Sequence, residues 1–116
     1  MRGSLTGALC ILLAEIMFAQ NSWSITNPDM FKLYAHTLIV DYKEFKCLEQ
    51  LWTKESNWNT AAHNKSGGAY GIPQLKNKKL QHMDGFTQVQ WGLKYVRSRY
   101  GTPCNAWVYW TIHKNY

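Results

Sequence analysis

The stretch from Asp41 to Glu55 constrains the chain most, because it is written as one amphipathic helix with a marked start. Asp41 followed three residues later by Glu44 is a capping-box-like opening, in which a short acceptor side chain satisfies a free backbone N–H of the first turn. Phe45, Leu48, Leu51 and Trp52 then recur at offsets of three and four, which puts them on one stripe of a 3.6-residue helix. The spacing predicts a helix over 42 to about 56, with Glu55 closing the apolar stripe. Such a stripe must be buried against other elements, and the rest of the chain has to supply them.

It supplies them as further helices. Asn27 before Pro28 reads as an N-cap and first helical position, opening a helix whose apolar face is Phe31, Tyr34, Ala35 and Leu38. Residues 57–68, NWNTAAHNKSGG, are small and turn-forming and read as a loop, followed by an apolar stretch from Tyr70 to Leu75. Thr87 with Gln90 repeats the capping pattern ahead of Val89, Leu93 and Val96, and Gly101 takes the C′ position of a helix of about 13 residues. Pro103 opens a last apolar segment, Ala106 to Ile112. The fold class is therefore mainly α, with a short irregular or β-like element within residues 65–75. A length of 116 residues suits one domain, and 46% hydrophobic with 17% charged residues excludes a disordered chain and a membrane bundle.

The first 22 residues read in two ways. Arg2, the apolar run Ala8 to Ala14 and Ala19 have the order of a secretory signal peptide, whereas Leu5, Leu9, Leu12, Leu13 and Ile16 also make one face of an N-terminal amphipathic helix capable of loose membrane association. Glu15 and Gln20 keep the run below the roughly 20 apolar residues of a membrane span. Removing this segment takes Cys10 with it and leaves Cys47 and Cys104 as an even pair, which an oxidising compartment would join. Residues 23–116 then form the domain, and export to a secreted or periplasmic location is expected.

Charge is uneven along the chain. Residues 1–49 carry four basic and five acidic side chains, residues 50–116 nine basic and two acidic. The second part favours a polyanionic partner. No Lys or Arg run exceeds two neighbours and no zinc-finger or helix-turn-helix pattern is present, so nucleic acid is not the expected partner. His36, His63, His82 and His113 lack close metal-ligand spacing, so no metal or organic cofactor is expected. Cys47 has no protease signature around it and fits a disulfide better than a nucleophile. Trp58, Trp91, Trp107 and Trp110 are candidates for stacking on sugar faces, with Trp91 and Trp107 in patterns that favour packing. Lys76, Lys78 and Lys79 follow the apolar stretch and suit an anionic glycan or its peptide carboxylates.

Glu55 carries the chemistry. A carboxyl group beside Trp and Leu side chains loses hydration in its charged form, so its pKa rises and it can hold a proton near neutral pH, as a general acid must. Glu55 lies in LWTKESNW; after the small-residue loop come SGGAYGIPQL and then QWGLKYVRSRYGTPCNAW. These three segments, in this order, resemble the soluble lytic transglycosylase domain of the lysozyme-like superfamily, over about residues 45 to 116. The match is to the small secreted and phage-associated branch, in which a Cys about two turns before the catalytic Glu accompanies another near the C-terminus. The resemblance implies a lysozyme-like helical domain, peptidoglycan glycan strands as partner, and a virion-associated location as the alternative to export. It also implies Glu55 as catalytic acid and base, Ser56 as an orienting neighbour, and Gln74 as the sugar-binding Gln. Ile72 would supply backbone contacts on the cleft floor, and Tyr109 would stand near the acid. Trp110 and Pro73 depart from the family's Asn and Met.

Most glycosidases use two carboxylates, and here Glu55 has few companions. Glu49 is six positions upstream on another face of the same helix, and Asp84 is the one acid downstream. A lone acid fits the lytic transglycosylase reaction that the resemblance implies, cleavage of the MurNAc-GlcNAc β-1,4 bond with a 1,6-anhydro product. A lysozyme-type hydrolase of the same bond is the nearest alternative, gaining if Asp84 faces Glu55 across a gap that admits water. A non-catalytic wall-binding or virion structural module is the third.

Overall fold

Local signals in the chain fix each helix start. The computed structural model describes residues 25–116; the signal-peptide and amphipathic-helix readings of residues 1–22, with Cys10, lie outside the described residues. Helix α1 (Pro28–Leu38) opens with Pro28 in its first turn and the Asn27 side chain accepting from Asp29 N at 2.9 Å. Helix α2 (Tyr42–Ser56) is capped by Asp41, which accepts from Glu44 N at 3.1 Å. A two-stranded antiparallel sheet follows, β1 (His63–Asn64) paired with β2 (Ala69–Tyr70) in the register His63 to Tyr70 and Asn64 to Ala69. A 3-10 turn at Lys78–His82 leads into α3 (Gly85–Tyr100), and α4 (Pro103–His113) completes the chain's helices. The described protein is mainly helical with one small sheet, as the periodicities predict.

Three local expectations are corrected. The N-cap of α3 is Asp84 and not Thr87: Asp84 accepts from Thr87 N at 2.9 Å, and the Thr87 hydroxyl donates back at 3.0 Å. Thr87 is therefore the third helical residue, and the helix has 16 residues. Leu38, expected on the buried face of α1, is exposed, while Phe31 and Ala35 carry the burial. Trp58, a sugar-stacking candidate, is completely buried, whereas Trp91, assigned to packing, is exposed. The Trp58 ring meets Trp52 edge-on at 5.2 Å, and its indole N–H donates to the Glu49 carbonyl at 3.3 Å.

The stripe of α2, from Phe45 through Leu48 and Leu51 to Trp52, is the spine of the core, and Ile72, Val89, Leu93, Val96 and Ala106 close on it from the later elements. Fully burying one such side chain contributes about 1.5–3 kcal/mol. Helix α2 packs most heavily against α4, and the Cys47–Cys104 disulfide joins the two. A closed loop with 57 residues of sequence separation restricts the unfolded chain by roughly 4 kcal/mol. Glu44 reinforces the junction, its carboxylate accepting from Cys104 N at 2.9 Å in the first turn of α4.

Gly92 sets how closely α3 approaches α2. A Cβ there would come within 2.5 Å of the Trp52 ring and 2.6 Å of Pro73, so glycine alone admits this contact. Gln88, one turn earlier and 1% exposed, ties three segments to α3. Its Oε1 accepts from Ile72 N at 2.9 Å, and its Nε2 lies within hydrogen-bonding reach of the carbonyls of Thr60, Leu80 and Met83. The irregular segment between α2 and α3 is thus pinned by one buried amide group.

Candidate active site

Helix α2 ends where the cleft begins. Asn57 and Trp58 both adopt left-handed backbone, φ 54° and 58°, and their N–H groups bond back to the carbonyls of Thr53 and Trp52. Asn tolerates this conformation; for a bulky residue it is costly, of order 1–3 kcal/mol. Burial of the whole Trp58 indole offsets that cost. Gln74 (φ 52°) and Lys114 (φ 61°) share the left-handed conformation, and both line the cleft. Among the described residues, every non-glycine residue with positive φ is therefore at the end of α2 or in the cleft wall.

The cleft has a volume of about 790 Å³, with Glu55 in its lining. Its lining comes from the sheet and the turn after it, through Asn64, Gln74 and Lys76, from Tyr95 and Arg99 of α3, and from the segment Lys114 to Tyr116. A second, shallower hollow of about 320 Å³ borders Glu55, Asn64, Gln74 and Lys114 as well, and adds Lys54, His63 and Trp110. Glu55 thus borders both hollows, together with Asn64, Gln74 and Lys114.

Glu55 is partly buried, and loss of hydration raises its pKa from an ordinary 4.5 to about 6; a hydrogen bond from the Trp110 side chain offsets part of the rise. Among the described residues, no other carboxylate side chain lines either hollow. Asp84 is exposed and engaged in capping α3, with its carboxyl held below the usual range chiefly by the Thr87 N–H. Tyr116 stands beside the acid. Its hydroxyl donates to the Pro73 carbonyl and accepts from Trp52 Nε1 at 3.1 Å. Burial, followed by the nearby Glu55 charge, raises its pKa well above the ordinary value, so it remains a neutral hydroxyl.

The residues singled out in the sequence take different places. Glu55 and Gln74 come together in the cleft. The Gln74 side-chain amide donates to the Gly71 carbonyl at 3.0 Å and the Ala62 carbonyl at 3.2 Å, which fixes the side chain and leaves its oxygen as an acceptor. Ser56 donates to the Ile72 carbonyl at 2.6 Å, fastening the end of α2 to the glycine-rich segment. Ile72 is buried with its N–H and carbonyl both engaged, to Gln88 and Ser56, so it positions the wall from behind. Tyr109 is outside the cleft lining, stacked on His113 at 3.9 Å and tilted against Tyr100. Lys76 lines the cleft; Lys78 and Lys79 belong to the following 3-10 turn.

Sequence reasoning missed Tyr95, Arg99, Lys114 and Tyr116 in the lining, and Gln88 behind it. Gln88 had a legible signal, a polar residue within the Val89, Gly92, Leu93 and Val96 stripe. Tyr116 had none, being 61 positions beyond Glu55 in an unpatterned tail. Among the described residues, no three His, Cys, Asp or Glu side chains gather into a metal site, and no helix is long and apolar enough to cross a membrane. No family model, curated protein or solved structure matches the chain.

Proposed function

We propose that this protein cleaves peptidoglycan glycan strands as a lytic transglycosylase, acting on the MurNAc-GlcNAc β-1,4 bond with Glu55 as the single acid and base. The observation that carries this reading is a poorly hydrated carboxyl group, with pKa about 6, bordering two hollows that no second carboxylate side chain among the described residues enters. Protonated Glu55 gives its proton to the bridging oxygen as the bond to the muramyl C1 breaks, leaving an oxocarbenium-like centre and a carboxylate. The carboxylate takes the proton of the muramyl 6-hydroxyl, whose oxygen bonds to C1 and closes the 1,6-anhydro ring. Proton and electron pairs balance within the strand, so no activated water is required. Hydrolysis by an inverting route needs a second carboxylate across the cleft, and Asp84 is committed to the start of α3.

The test is digestion of purified sacculi followed by mass spectrometry of the released sugars. The wild-type chain is expected to give 1,6-anhydro-MurNAc ends, and Glu55→Gln to lose at least about 100-fold of the rate while still binding strands. Reducing ends would make the protein a hydrolase. Binding without any product from the wild-type chain would make it a wall-binding or virion structural module.

A further inference from the structure

The two hollows beside Glu55 are bordered by Lys54, Lys76, Arg99 and Lys114, all exposed. None of them has an acidic partner: the one ion pair among the described residues is Lys46–Glu49, away from the cleft lining. Lys114 lies over the Trp110 ring at 5.1 Å, and Arg99 donates to the Tyr100 hydroxyl at 3.1 Å and lies over that ring, contacts that orient each cation without neutralising it. The four come from separate elements: the end of α2, the turn after the sheet, the last turn of α3 and the cap of α4.

Four cations without acidic partners around one cleft favour an anionic ligand over a neutral one. We propose that the cleft selects glycan strands bearing pendant anionic groups, with Lys76 and Arg99 in the larger hollow, Lys54 in the smaller one and Lys114 bordering both receiving carboxylate or phosphate substituents. This deepens the transglycosylase reading and rests on it for the identity of the strand. The carboxylates would be those of stem peptides, the phosphates those of wall polymers attached to the glycan; both use the same charge-assisted contacts. Exposed contacts of this kind are screened by salt, so the preference should fade as ionic strength rises.

The experiment measures binding of labelled glycan strands to the full-length Glu55→Gln protein, which holds strands without consuming them. Three strand preparations are compared: with stem peptides but no phosphate polymer, with phosphate polymer but no stems, and stripped of both. At low salt the stem-bearing or the phosphate-bearing strands are expected to bind about tenfold or more tightly than stripped ones, and whichever does so identifies the source of the anion. Adding Lys76→Gln, Arg99→Gln and Lys114→Gln should abolish that preference, so that all three preparations bind alike; Lys76→Arg with Lys114→Arg should retain it. Circular dichroism verifies the fold of each variant. Equal affinity for all three preparations, or a preference that survives loss of the three cations, overturns the proposal. Equally tight capture of single-stranded DNA would also overturn it, since the groove would then read charge without a glycan. Cleavage of stripped strands by the wild-type chain reads the catalytic proposal separately, so failure of one can be told from failure of the other.

Discussion

The two ends of α2 are built to opposite purposes. At the first end the contacts are complementary: Asp41 caps the helix, Glu44 accepts from Cys104 N in the first turn of α4, and the cystine at Cys47 locks the two helices together. At the other end the backbone turns left-handed twice, and Glu55 carries a carboxyl group that its surroundings disfavour in the charged form. One helix thus supplies stability at one end and holds a strained, underhydrated acid at the other. At this end burial outweighs the one favourable contact of the acid, the hydrogen bond from the Trp110 side chain, whereas at the first end the partners are complementary.

If the two ends are separable in function, damage to the first should cost stability and spare chemistry. Replacing both cysteines with Ser is expected to remove roughly 4 kcal/mol and lower the melting temperature by more than about 10 °C, read by calorimetry. Well below that melting temperature the cleavage rate should stay within a few fold of wild type. Gln88→Leu tests the packing behind the acid instead. It leaves the Ile72 N–H and three carbonyls without their side-chain partner, a loss of about 2 kcal/mol, and because that amide holds the cleft wall, activity should fall along with stability.

The smallest effect concerns the acid itself. Folding raises the Glu55 pKa from 4.5 to about 6, so the folded chain binds the proton more tightly than the unfolded one. Its contribution to stability is then most favourable below about pH 4.5 and is lost as pH rises through about 6. Glu55→Gln removes the unfavourable charged form, so it should melt a few degrees above wild type near pH 7.5 and together with it near pH 4. A variant less stable than wild type at both pH values would mean that the carboxylate is well satisfied, and the contrast between the two ends would disappear.

The stable end was largely legible in the sequence, and the reason is locality. Asp41, Glu44 and the Phe45 to Trp52 stripe report one helix through contacts three and four residues apart, and setting Cys10 aside with the first 22 residues left Cys47 and Cys104 as one pair to join. At the other end Glu55, Gln74 and Lys76 were recovered with their cleft, and Trp110 with the smaller hollow. Ser56, Ile72 and Tyr109 have the right sequence neighbours, yet Ser56 and Ile72 spend their polar groups on each other and on Gln88, and Tyr109 faces His113. The groups that complete the cleft, Tyr95, Arg99, Lys114 and Tyr116, reach it through the packing of α3 and the C-terminal segment against the rest of the fold, which no local pattern encodes. Trp58 was misplaced for a related reason: a turn-rich stretch hides a residue whose ring leaves the loop and enters the core.

The central claim is that the acid at position 55 keeps its proton to a higher pH than an ordinary glutamate. Carbon-detected NMR titration of side-chain carboxyl groups, with the Glu55 resonance assigned by its absence from Glu55→Gln, measures this directly. A midpoint at about 6 is the result the account predicts; a midpoint at the ordinary value of 4.5 would contradict it.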